Sequence, residues 1–265
     1  MTDAAADTDK EGVTSSTRLF SALVEVGRDG WATVWVGELL GLFVNESSED
    51  EALRQIPGAI VAYLQWLRRH GEDIKAPEAA MVAGAERQTP DLDLAYGEYA
   101  ALFDRDRVPV TDDDLVQATR WMRYMRDDTL DLVARLPAAA MGWRRRPDHK
   151  YSIGDYLEHI ARAERWYLTR LWPDVPLHVP GATVLRSLAQ SRERALNWLL
   201  TMPVELRGRV VDFGGGDLWT ARKVLGRYLY HERYHIRSIA RIALERSVEV
   251  PDGLGGWHTY EAAVR

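Results

Sequence analysis

The chain has 265 residues, 46% of them hydrophobic, and carries 34 Lys and Arg against 40 Asp and Glu. That length supports one large core or two ordinary ones, and a net charge of −6 argues against a general nucleic-acid coat. Cysteine is absent, which excludes disulfides, thiolate metal sites and cysteine nucleophiles and leaves His, Asp and Glu as the strong metal ligands.

The opening stretch MTDAAADTDKEG is small, polar and acidic. It lacks an apolar segment of signal-peptide length, and no later run approaches a membrane span. The expectation is a cytoplasmic protein with a disordered acidic tail over residues 1–16 and no membrane partner. Charge divides the rest: residues 1–107 hold 10 Lys and Arg against 20 Asp and Glu, net −10, whereas residues 108–265 hold 24 against 20, net +4. Two differently built halves are expected, with the boundary at residues 104–109.

From residue 17 the runs RLFSALVEV, WATVWV and GLFVN alternate apolar with polar positions and are separated by glycine-bearing breaks, the pattern of a small antiparallel sheet. Ser48 followed by Glu51 signals a helix start. That helix should reach His70 and Gly71 with Ile56, Ile60, Leu64 and Leu67 inward, while Pro57 should kink it or delay its start. After Ile74 the chain turns irregular, apart from a short strand expected at 98–103. An α+β domain over residues 17–106 results.

Residues 107–265 read as an all-α four-helix bundle. Thr111 caps a first helix whose inward stripe is Leu115, Ala118, Met122, Met125, Thr129, Leu132 and Leu136. Ser152 caps a second, with Ile153, Tyr156, Ile160, Ala163 and Tyr167 inward. A third spans about 182–202 with Leu185, Leu188, Ala195 and Leu199, and after three consecutive glycines Thr220 caps a fourth that ends near Glu245.

On that fourth helix the inward stripe is Val224, Tyr228, His231, His235, Ile239 and Ile242. Two histidines therefore stand at consecutive core positions, one turn apart, where both imidazoles can reach one ion. His159 lies on the matching face of the second helix. Adjacent buried imidazoles are hard to satisfy without a metal or an acid. Single histidines on helix faces are more often ordinary core or surface residues, and His70, His149, His178 and His258 receive no role. The stretch His231-Glu232-Arg233-Tyr234-His235 also fits the HExxH pattern, in which Glu232 would be a general base. The longer form of that motif fails, because Ser238 and Arg241 stand where a glycine and a third histidine are required.

The pieces YSIGDYLEHIARAERWY and LWTARKVLGRYLYHERYHI together resemble the DinB/YfiT-like metalloprotein superfamily over about residues 110–250. The resemblance implies metal ligation by His159, His231 and His235. It points to the three-histidine branch, since the mycothiol-dependent maleylpyruvate isomerase branch has Glu at the position of His231. It also implies one divalent transition metal, with zinc first and nickel or iron as alternatives, and thiol-dependent transferase or isomerase chemistry. The stretch FSALVEVGRDGWATVWVGELLGLFVNESSEDEAL with AIVAYLQWLRRHGE resembles HicB-like antitoxin domains over about residues 18–72.

The leading expectation is a metal-dependent enzyme acting on a small molecule, with a low-molecular-weight thiol or water as nucleophile and Glu232 as a catalytic candidate. A regulatory module with a structural metal and a zincin-like hydrolase are the alternatives. Nucleic acid is not an expected partner, and a homodimer is. Glu164 reads as a solvated helix-face charge. Arg227, Arg233 and Arg237 either attract an anion or solvate the outer face, the latter for at least two of them. Trp121, Trp143, Trp166 and Trp198 line a pocket or fill the core.

Overall fold

The structure, a computed structural model, describes residues 18–74, 79–95, 101–175 and 183–251. The expected tail, the start of the third bundle helix at 182, His178 and His258 lie outside the described residues.

Strands β1 (Arg18–Val26), β2 (Ala32–Val36) and β3 (Phe43–Glu46) form the expected meander. Val26 pairs with Ala32 across the first turn and Trp35 with Phe43 across the second. Helix α1 (Glu49–Arg69) follows, its first turn capped by Ser48, which accepts from the Glu51 amide at 3.3 Å. The helix runs without interruption through Pro57, so its start is not delayed; the cap and three acidic residues in the first turn hold it there.

The sheet is not purely antiparallel. A fourth strand, β4 (Ala80–Gln88), pairs parallel with β1, giving the order β3-β2-β1-β4 with α1 as the crossover. Its sequence AMVAGAERQ has no apolar alternation and most of its residues are exposed or half-buried, so backbone pairing holds it and the hydrophobic pattern gives no signal. Of the strand expected at 98–103, residues 98–100 lie outside the described residues, and 101–103 are not a strand. Ala101 and Phe103 instead pack with Leu23 against the sheet face away from α1.

Helices α2 (Asp112–Arg135), α3 (Ile153–Thr169), α4 (Val184–Leu200) and α5 (Ala221–Leu244) make up the C-terminal half. Thr111, Ser152, Thr183 and Thr220 each cap one by accepting a backbone N–H from the first turn. Helices α2 and α3 each pack on both α4 and α5. A two-stranded hairpin, β5 (Val211–Asp212) and β6 (Leu218–Trp219), turns through Gly214, Gly215 and Gly216, all at positive φ, and leads into α5.

One continuous apolar cluster runs from Phe20 and Ile60 through Met122 and Leu157 to Ile239, so the halves share a core. A tight backbone approach between them is at Gly41 in the β2–β3 turn. It has φ 78°, and a Cβ there would lie 2.4 Å from the Leu229 Cβ and 2.9 Å from the Tyr230 nitrogen. Only glycine permits this contact of backbone with α5. Trp35 and Phe43 meet Tyr230 edge-on at 5.2 and 4.5 Å. The Trp66 indole donates to Asp128 at 2.7 Å, and Arg120 pairs with Glu72 at 2.5 Å. No helix of the described residues is long and apolar enough to cross a membrane.

Candidate metal centre

His231 and His235 project from one face of α5 and His159 from the facing side of α3. The Nε2 of His231 lies 3.0 Å from that of His159 and 3.1 Å from that of His235. All three ligand atoms fall within 4.8 Å of one another. Burial, then the neighbouring imidazoles and Arg227, holds His231 well below the usual histidine range. His235 is lowered to about 3 by burial and then His159, and His159 is lowered by burial, Arg162 and Lys150. The rings are therefore neutral at pH 7, the form that donates a lone pair.

Three neutral imidazole nitrogens turned inward at this spacing can share at most a few protons among them, whereas one cation accepts all three lone pairs. The donor set fits a borderline ion such as zinc, nickel or iron. Aromatic packing fixes the rings: Tyr156 lies 5.4 Å from His235, Tyr167 5.7 Å from His231 and Tyr151 6.1 Å from His159. The Nδ1 of His235 is buried with no hydrogen-bond partner among the described residues, so tilted and edge-on packing of neighbouring rings rather than an outer carboxylate sets that ring.

Glu232 follows His231 in sequence but faces away into the core. Its carboxylate accepts from Arg126 Nε and Thr129 Oγ1, both at 2.8 Å, and from Arg192. Burial alone would raise its pKa, but Arg126 and Arg192 lower it to about 2. Glu164 is not a solvated surface charge: it is 2% exposed and accepts from Arg126 at 3.0 Å, Arg192 Nε at 2.8 Å and Ser191 Oγ at 2.6 Å. Each of the four helices contributes one charged side chain, Arg126, Glu164, Arg192 and Glu232, and the set is neutral overall. Spacing carried a signal for this, because all four replace apolar residues on or beside the inward stripes. A charge in a core position is rare unless paired.

Arg227 and Arg233 do not solvate an outer face either. They are 6% and 7% exposed and sit against the N-terminal half, Arg227 over the Trp35 ring at 4.8 Å and Arg233 over Tyr63 at 4.3 Å. Helix α5 buries two faces, one on the other helices and one on the sheet half, which a single-stripe reading misses. Trp121 is core, while Trp166 is 40% exposed and borders a cavity. His70 pairs with Asp128 at 3.1 Å, away from the trio.

That cavity, of about 990 Å³, lies between residues 88–92 and 101–102 of the N-terminal half and Trp166, Tyr167, Trp219, Tyr230 and His231 of the helical half. Of the imidazole trio, His231 opens onto it. No curated protein and no solved structure matches the chain. The sequence model of the DinB superfamily matches residues 122–239, and since that stretch contains His159, His231 and His235, the DinB-like part of the chain is the part that carries the site.

Proposed function

We propose that the protein is a metal-dependent enzyme acting on a small molecule. In this reading a DinB-type four-helix bundle holds one divalent transition metal on His159, His231 and His235, with zinc first and nickel or iron as alternatives. The reaction is transfer to, or isomerisation assisted by, a low-molecular-weight thiol, or attack by water. The observation that carries the reading is the convergence of three Nε2 atoms, 3.0 and 3.1 Å apart, beside a cavity that reaches His231.

A bound ion supplies Lewis acidity and lowers the pKa of a thiol or water. The chain supplies the rest. The four-residue spacing on α5 presents two imidazoles on one face, and burial keeps them neutral and ready to bind at pH 7. Tyr156 and Tyr167 pack against the His235 and His231 rings and hold their orientation. Glu232, engaged by two arginines and a threonine, acts in this reading as a positioning residue for α5 rather than as a base. That weighs against the zincin alternative. The structural-metal alternative is weakened because α3 and α5 are already joined by the Tyr228 hydroxyl, which donates to the Glu164 carbonyl at 2.8 Å, and by the charged network. Three antiparallel strands followed by a helix support the HicB-like expectation for the N-terminal half, whose charge of −10 suits packing on α5 better than binding nucleic acid.

Elemental analysis of the purified full chain tests the site. About one ion per chain is expected, from the one three-histidine cluster among the described residues, and His231→Ala and His159→Ala should lose it. Wild-type protein without stoichiometric metal, or a His231→Ala variant that keeps it, overturns the reading.

A further inference from the structure

The cavity beside His231 has a composition of its own. Trp166, Tyr167 and Trp219 form an aromatic wall, with Trp166 meeting Trp219 edge-on at 5.3 Å and Tyr167 lying 5.9 Å from Trp219. Tyr230 stands on α5 near its mouth to His231, at 6.4 Å between rings. A cavity of about 990 Å³ is at the upper end of what encloses a small organic ligand.

Arg227 also lines it, one helical turn before His231 on the same face of α5. Its guanidinium lies over Trp35 at 4.8 Å and Tyr230 at 5.5 Å, a packing that holds the fork flat. A planar guanidinium held over two rings matches a carboxylate in two-point contact better than a lysine would. The backbone positions of Arg227 and His231 are one turn, about 5–6 Å, apart along α5. The acids on the lining, Asp91 and Asp217, already face Arg28 at 3.6 Å and Arg170 at 3.7 Å. Their presence disfavours a dianion, such as a phosphate monoester, over a monoanion.

We propose that this cavity binds a small aromatic carboxylate, its ring against Trp166, Trp219 and Tyr230 and its carboxylate on Arg227, with the N-terminal half supplying the opposite wall through residues 88–92. As a statement of substrate class it rests on the metal-dependent reading; as a statement of binding it does not. It gives the sheet half a function at the site: without that half the cavity has one wall.

The test uses the full chain, as purified and after chelation, with benzoate as the probe and benzamide and acetate as controls, read by calorimetry and by ligand-detected NMR. Benzoate should bind at least about tenfold more tightly than either control, a difference of about 1.4 kcal/mol, and binding should survive chelation. Arg227→Gln should lose at least about tenfold in benzoate affinity while leaving benzamide unchanged. Because Arg227 is buried, a second variant guards against misfolding. Thr89 is exposed, outside any strand or helix, and on the opposite wall, so Thr89→Trp should narrow the cavity and weaken benzoate binding several-fold with the unfolding temperature unchanged. Equal affinity for benzoate and benzamide, or binding unaffected by both substitutions, overturns the proposal. So does benzoate binding that disappears on chelation yet persists in Arg227→Gln, since the carboxylate would then sit on the metal. Absence of metal with benzoate binding intact overturns the metal reading alone.

Discussion

Replacing Glu232 by Gln removes one charge from a buried set of four and preserves the side chain's shape. In the wild-type protein Arg126 and Arg192 face Glu164 and Glu232, with all four side chains at most 6% exposed. Glu232→Gln leaves two guanidinium groups against one carboxylate, so a net positive charge is stranded in the core. Breaking a buried pair by removing one partner costs about 3–5 kcal/mol. At about 2–4 °C per kcal/mol for a chain of this size, the unfolding temperature should fall by roughly 6–20 °C. Urea and thermal denaturation of the full chain read this directly. The double variant Arg126→Met/Glu232→Leu leaves Arg192 with Glu164 as a neutral pair and should recover most of the loss, because a buried ion pair exchanged for apolar groups of similar volume is often close to neutral. At 25 °C, with the fold intact, Glu232→Gln should still bind metal. A variant as stable as wild type that has lost peptide-hydrolysing activity would refute this reasoning and restore Glu232 as the base of a zincin.

Gly41→Ala should destabilise by about 1–3 kcal/mol from positive φ and overpacking together, because its Cβ would meet Leu229 and Tyr230 of α5; chemical denaturation measures it, and an unchanged midpoint would mean that the turn does not touch α5. Asp114 accepts from the Thr111 amide at 2.9 Å and from Arg222 at 2.7 Å, and although burial opposes it, these bonds lower its pKa to about 2. Its folded pKa lies below the ordinary carboxylate value, so its contribution is complete above about pH 4 and is lost as pH falls towards 2. Asp114→Asn should therefore cost about 1 kcal/mol at pH 7 and progressively less below pH 4. An equal loss at both pH values would remove the cap and ion pair as its cause. Chelation should leave helicity and cooperative unfolding intact, with a shift in midpoint that follows the free metal concentration as mass action requires. Collapse of the far-ultraviolet circular dichroism on chelation would instead favour the structural-metal alternative.

The caps show what local sequence encodes well. Thr111, Ser152 and Thr220 stand immediately before apolar stripes and are the N-caps of α2, α3 and α5, because an orphan first-turn amide needs a short side-chain acceptor whatever the tertiary context. The histidine trio was legible for a related reason: the four-residue spacing of His231 and His235 is a property of α5 alone, and only the partner on α3 required a guess about packing. Strand β4 was not legible, since a mostly exposed edge strand held by backbone pairing with β1 leaves no apolar alternation. The charged network was half legible. Arg126, Glu164, Arg192 and Glu232 each lie on or beside an inward stripe, but a charge on a helix reads as solvent-facing until its three partners from other helices are placed beside it. Arg227 and Arg233 failed for a further reason, that α5 has no solvent face opposite its first stripe: the sheet half covers it through Gly41, Trp35 and Phe43. The cavity at His231 also lies where the halves meet, walled on the N-terminal side by residues 88–92 and 101–102. Arg227 and residues 88–92, which local sequence does not place at the site, line its cavity because of how the two halves meet.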